Sequence, residues 1–231
     1  MRRNNITVIK LGGSHAGSAH LAGWLDALAA CGGRAVIVPG GGVFADAVRL
    51  AQPKIGFDDD AAHAMALLAM EQFGRALASL RPVFHVAASL AAIRRTLRDK
   101  RVPVWAPASV VLRAADVPAS WDITSDSLAA WLAGRIGARH LLLVKHGAAS
   151  SGAMSAADLA VRGMVDPAFP RFLAACGAQA RIAAPEAYAA ACAAIRAGEE
   201  AGARIVMHES RLSRLDSPPW PRSQHRAGAG P

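Results

Sequence analysis

ITVIKLGGS, residues 6 to 14, and RAVIVPGGG, residues 34 to 42, read alike: a short apolar run rich in β-branched residues that empties into consecutive glycines. β-branched side chains favour the extended chain, and glycines in a row forfeit conformational entropy unless backbone must turn tightly or pass close to something. Between the two runs, Leu21, Trp24, Leu25 and Leu28 fall at helical spacing over Ser18 to Ala30, and Gly32 and Gly33 close the segment. Strand, glycine turn, helix, strand, glycine turn is the start of a parallel sheet wound with helices.

The same alternation continues outward. A helix is expected over residues 60–80, with Asp58, Asp59 and Asp60 at its positive end and Pro82 stopping it. Val83 to Ala87, Val102 to Pro107 and the run Val110 to Leu112 read as short strands, with a basic helix near Arg94, Arg95 and Arg98. Ser125 to Ile136 is a helix ending near Gly137, and His140 to Lys145 is the most apolar strand of the second half. QARIAA (179–184) and ARIVMH (203–208) follow, with Ala-rich helices between them. One α/β domain is expected over residues 1–212. The basic, Pro- and Gly-rich stretch 213–231 buries too little apolar surface to order itself and is expected to be a flexible tail.

Composition agrees with one domain: 231 residues, 53% of them hydrophobic, are enough to form a core without metal or disulfide. Cys31, Cys176 and Cys192 are scattered, form no C-x-x-C pair, and point to a reducing, cytoplasmic setting. The N-terminal apolar run is too short for a signal segment or a membrane span. Of the net charge of +9, the tail from Arg211 carries four arginines against Asp216, or +3, leaving +6 dispersed over residues 1–210. That placement weakens a nucleic-acid reading, which stays open for the basic tail; steering of phosphorylated ligands gains from the same positive field, so charge alone does not separate the two.

Three segments carry chemistry. Lys10 with Gly12, Gly13 and Ser14 can present backbone N–H groups, the positive end of the following helix and a mobile cation to phosphate oxygens; the alternative is a plain βα turn. Gly40, Gly41 and Gly42 form a second such turn, or a tight loop packed on its neighbour. In WDITSDS, residues 121–127, Thr124 or Ser125 can cap a helix with Asp126 in its first turn, or Asp126 can orient lysines around a transferring phosphoryl group. Two glycine loops after adjacent strands place a shared site at the carboxyl ends of the sheet.

KLGGS near the N-terminus, GGG after the second strand and an S-D pair at a later helix start, in this order, resemble the amino acid kinase superfamily over residues 6 to about 207. Within it, FDDDAAHAMALLAMEQ (57–72), SWDITSDSLAAWLA and RGMVDPAFP look like the short kinases of tetrahydromethanopterin biosynthesis, which phosphorylate a phosphate monoester. The resemblance implies a three-layer αβα sandwich around a mainly parallel sheet of about eight strands. It also implies ATP with Mg²⁺, a small phosphorylated acceptor and a homo-oligomer. By the same resemblance Lys10 contacts the transferring group and Asp126 organises the catalytic lysines. Gly12, Gly13 and Ser14 bind nucleotide phosphates. Gly40, Gly41 and Gly42 lie on the acceptor side with His63, Thr124 and Ser125. No protein metal ligand is implied.

One departure stands out. Where many members carry a T-D-V-D-G-type nucleotide sequence, this chain has Val144-Lys145-His146-Gly147, so Lys145 and Gly147 take that place, and the loop after them offers no aromatic shelf for adenine. A non-catalytic nucleotide- or oxyanion-binding protein, or a kinase for another acceptor, are the alternatives.

Overall fold

The computed structural model describes residues 4–15, 17–147 and 152–207. Eight strands form one sheet in the order β3-β4-β2-β1-β5-β7-β8-β6. In chain order the strands are β1 (Asn4–Leu11), β2 (Ala35–Pro39), β3 (Phe84–Ala87), β4 (Val102–Trp105), β5 (Ala138–Val144), β6 (Ala153–Ser155), β7 (Gln179–Ala183) and β8 (Ala203–Val206). All pairings are parallel except β7 with β8. The helices are α1 (Leu21–Ala29), α2 (Gly42–Ile55), α3 (Asp59–Ser79), α4 (Leu90–Arg98), α5 (Ala108–Val111), α6 (Ser125–Ile136), α7 (Ala156–Val161), α8 (Phe169–Cys176) and α9 (Tyr188–Ala197).

Successive side chains of a strand point to opposite faces, and the two cores divide accordingly. Val8, Val36, Val38, Leu141 and Leu143 join α4, α6 and α8 in one core, while Ile9, Ile37, Leu142 and Val144 join α1 and α9 in the other. Residues of α3 enter both. The result is the expected three-layer sandwich. Trp24 and Trp131 are both core residues; the Trp24 indole donates to the carbonyl of Pro185 at 2.7 Å.

Local chemistry explains the boundaries. Asp58 caps α3, its carboxylate accepting from the N–H of Ala61 at 2.8 Å, with Asp59 and Asp60 in the first turn. Val110 to Leu112, read as a strand, lies in and just after α5. Pro107 opens that turn, its carbonyl accepts from Val110 and Val111, and Glu71 accepts the N–H of Ala108 at 2.9 Å. Three apolar residues carry no period long enough to separate strand from helix. β6 is a three-residue edge strand without an apolar signal, held by β8. The stretch 213–231 lies outside the described residues.

Candidate active site

Register places the site. Lys10 lies level with Val38 of β2 and Leu143 of β5, and Leu11 with Pro39 and Val144. Three adjacent parallel strands therefore end together, and the next residues along each, Gly12, Gly40 and Lys145, emerge at one edge of the sheet. Lys10 follows Val8 onto the face that α6 covers. The first turn of that helix carries Asp126, buried at 3% exposure.

Asp126 sits between two lysines. Its Oδ1 is 3.0 Å from Lys10 Nζ and its Oδ2 2.7 Å from Lys145 Nζ. Burial pushes the Asp126 carboxyl up, but the two ammonium groups outweigh it and hold the carboxyl below the usual carboxylate range. Lys145 is pushed down to about 8 by burial and then by repulsion from Lys10, against the pull of Asp126. The lysine expected to touch nucleotide is thus drawn inward and shares the aspartate with Lys10.

In front of this row opens a cavity of about 490 Å³. Lys10, Gly12, Gly13, Ser14, Gly40, Gly41, Gly42, His63, Thr124 and Ser125 all line it. Asp126 and Lys145 stand behind the lining, and Gly147, exposed at a turn with φ +71°, lies outside it. Residues 148–151 of the following loop are outside the described residues.

The two glycine loops pack backbone on backbone. A Cβ on Gly13 would fall 2.1 Å from Cα and N of Gly42, and one on Gly40 would fall 2.4 Å from N of Gly13. Gly42 has φ +54°, a conformation glycine adopts without strain. Loop packing therefore accounts for Gly13 and Gly40 without a ligand, yet the same contact exposes their backbone to the cavity. Gly12 differs, since its Cβ would meet the Lys10 ammonium at 3.0 Å.

The glycine turn after Lys10 leads into a 3-10 turn, Gly13–His15, and α1 starts only at Leu21. The helix starts along the cavity are instead those of α2, whose cap Gly41 offers no side-chain acceptor, and α6. The N–H groups at the start of α2, beside the glycine backbone, are of the kind that suits an anion.

His63 is buried on α3 with Nε2 unpartnered among the described residues. Burial lowers its pKa, opposed by Asp60, and favours the neutral ring. Leu67, Met70, Ile123 and Leu128 form an apolar wall, and Asp46, Arg49 and Trp121 the mouth. The Arg49 guanidinium lies 4.4 Å over the Trp121 ring, whose Nε1 donates to Gln52 at 2.7 Å. Sequence reasoning missed Arg49, although Gly42, Asp46 and Arg49 stand at i, i+4, i+7, one face of α2.

It also missed Asp166. Thr124 occupies the N-cap of α6, but its side chain caps nothing. Asp166 accepts instead from the backbone N–H of Thr124 at 2.9 Å and of Ser127 at 3.0 Å, from the Thr124 hydroxyl at 2.8 Å, and from the Ser127 hydroxyl. Burial and then the nearby Asp126 push its carboxyl up, against these hydrogen bonds.

Fold and site together define a class: an α/β protein with a ligand cavity at the carboxyl ends of parallel strands, walled by glycine backbone and backed by a lysine–aspartate–lysine row. The chain belongs to the amino acid kinase family, whose model matches residues 5–148. Among curated proteins it is similar to the [5-(aminomethyl)furan-3-yl]methyl phosphate kinase of Methanocaldococcus jannaschii, 26% identical over 108 residues. That match spans 47% of this chain and 50% of the relative. Among solved structures, uridylate kinase of Archaeoglobus fulgidus superposes with TM-score 0.64 at 17% identity, covering 87% of this chain and all of the other. An isopentenyl phosphate kinase gives 0.58 at 17%, again over 87% of this chain and 100% of its own.

Proposed function

We propose that this protein is an ATP-dependent small-molecule kinase that transfers the γ-phosphoryl group to a phosphate-monoester acceptor, with [5-(aminomethyl)furan-3-yl]methyl phosphate as the leading acceptor. The observation that carries the reading is the buried Lys10–Asp126–Lys145 row beside the glycine-walled cavity. Phosphoryl transfer needs little covalent chemistry from the protein; it needs two substrates held in line and the developing charge met by fixed cations. Lys10 and Lys145 are those cations, and Asp126 holds them in place without acting as a base.

In this reading Gly12, Gly13 and Ser14 donate to nucleotide phosphates. Gly40, Gly41 and Gly42 meet the acceptor phosphate, assisted by His63, Thr124 and Ser125; Lys10, which lines the cavity, contacts the transferring group, and Lys145 behind it serves the nucleotide side. Gly147, exposed outside the cavity lining, is proposed to bind nucleotide as the resemblance implies. Among the described residues no group of three or more His, Cys, Asp or Glu could hold a metal, so Mg²⁺ is proposed only as Mg·ATP, carried on the phosphates.

A homo-oligomer is supported by the apolar surface of α2 and α3, where Val43, Leu50, Ile55, Met65 and Leu68 are exposed. Among the described residues no helix is long and apolar enough to cross a membrane. A cytoplasmic setting remains the proposal drawn from the cysteines.

The test is coupled ADP release across a panel of phosphate monoesters, carboxylates and nucleoside monophosphates, with Lys10→Ala as control. Acceptor-dependent ADP release by the wild-type chain, abolished in the control, is expected. Calorimetric ATP binding with no transfer to any acceptor would favour the non-catalytic reading.

A further inference from the structure

We propose that Asp166 is a positioning residue of the phosphotransfer centre: from the loop between α7 and α8 it clamps the first turn of α6 so that Asp126 stays seated between Lys10 and Lys145. The inference rests on the kinase reading above. A helix start has free N–H groups that a local serine or threonine can satisfy at little desolvation cost. Here Thr124 stands at the cap and its hydroxyl donates away from the helix, to Asp166. The work of capping falls to a carboxylate about forty residues along the chain, buried at 7% exposure. Burying a second acid near Asp126 is the costlier way to end a helix.

What the remote acid adds is a fixed point on another element. Its loop is anchored by the N–H of Phe169 donating to the Asp166 carbonyl at 3.1 Å, by that of Ala168 donating to Asp122 at 3.0 Å, and by the fully buried Phe169 ring. The residues it grips, Thr124 and Ser127, bracket Asp126. Two lysines and two aspartates thus form one cluster, in which Asp126 bridges the lysines and Asp166 grips the turn that carries it. Asp166 acts through Asp126.

Asp166→Asn keeps the shape but turns an amide N–H₂ toward donors on one side of the clamp. Turnover per folded enzyme should fall about 10- to 100-fold, as expected for a sub-ångström misplacement of a positioning group. KM for ATP and for the acceptor should stay within about threefold. In an Asp126→Asn background the same change should remove no more than about twofold further. A residue that only caps the helix would lower the melting temperature and leave kcat unchanged; that outcome, or equal losses in both backgrounds, overturns the proposal.

Should Asp166→Asn fail to fold, Ser127→Ala, outside the cavity lining, keeps both backbone bonds and should reduce kcat about 3-fold or more; unchanged kcat overturns the proposal equally. A crystal structure of the variant separates the two readings. Both lysine–Asp126 pairs at their original lengths would sink the clamp whatever the turnover, whereas wild-type protein inactive on every acceptor would sink the kinase reading itself.

Discussion

Replacing Asp126 by asparagine removes the one negative charge that two buried ammonium groups share. At 3.0 and 2.7 Å, and with an effective dielectric constant of about 20, each gross attraction is about 6 kcal/mol. Relaxation and entering water return much of this, but a loss of only about 1.4 kcal/mol on Lys145 already moves its protonation balance tenfold. Lys145 starts from about 8, so the variant should hold it largely neutral near pH 7. The assay is kcat/KM for Mg·ATP against pH, which reports the groups of the free enzyme.

Wild-type kcat/KM should fall as pH rises through about 8, where Lys145 of the free enzyme loses its proton. In Asp126→Asn the limb should move down by at least about one unit, and kcat at pH 7 should drop about 10²- to 10³-fold, the usual scale for removing one preorganised electrostatic group. A folded variant with the limb unmoved and kcat within about threefold of wild type would refute this account and return Asp126 to helix capping.

The two glycines after Leu11 should respond differently to alanine. Gly13→Ala forces backbone against backbone and should lower stability by about 2–4 kcal/mol in a thermal melt. Gly12→Ala, whose new methyl meets side chains alone, the Lys10 ammonium at 3.0 Å and the Ser14 hydroxyl at 3.4 Å, should melt near wild type and lose turnover instead. His63→Ala should raise the acceptor KM about tenfold or more with the ATP KM unchanged; equal changes in both would remove it from the acceptor side. Asp126 contributes stability that is fully present above its unfolded pKa near 3.8 and lost as pH falls through its lower folded value. Acid melts of Asp126→Asn should therefore vary less with pH over that range than those of the wild type.

Much of the architecture was legible because strand and turn signals agreed: β-branched runs ending in glycine at residues 11–13 and 39–42 dictate parallel strands with their loops at one edge. Helix starts were legible where the cap is local, as at Asp58. Where the partner is remote, the signal disappears. Nothing within four residues of Thr124 reveals that Asp166 caps α6, and no local pattern shows that Lys145 turns inward to Asp126. Val110 to Leu112 misled because so short an apolar run fits a strand or a turn of helix equally, and Pro107 decided it. Gly13 and Gly40 were read either for a ligand or for tight turns, and the packing of one loop on the other supplies the second reason.

In the proposed reaction the Lys10–Asp126–Lys145 row supports transfer of a phosphoryl group onto an existing phosphate. ³¹P NMR of ATP and [5-(aminomethyl)furan-3-yl]methyl phosphate with the wild-type chain tests it directly. Paired diphosphate doublets should grow as the acceptor singlet falls and ADP appears, and the Lys10→Ala chain should leave the spectrum unchanged. Release of orthophosphate alone, or diphosphate formed equally by the Lys10→Ala chain, would contradict it.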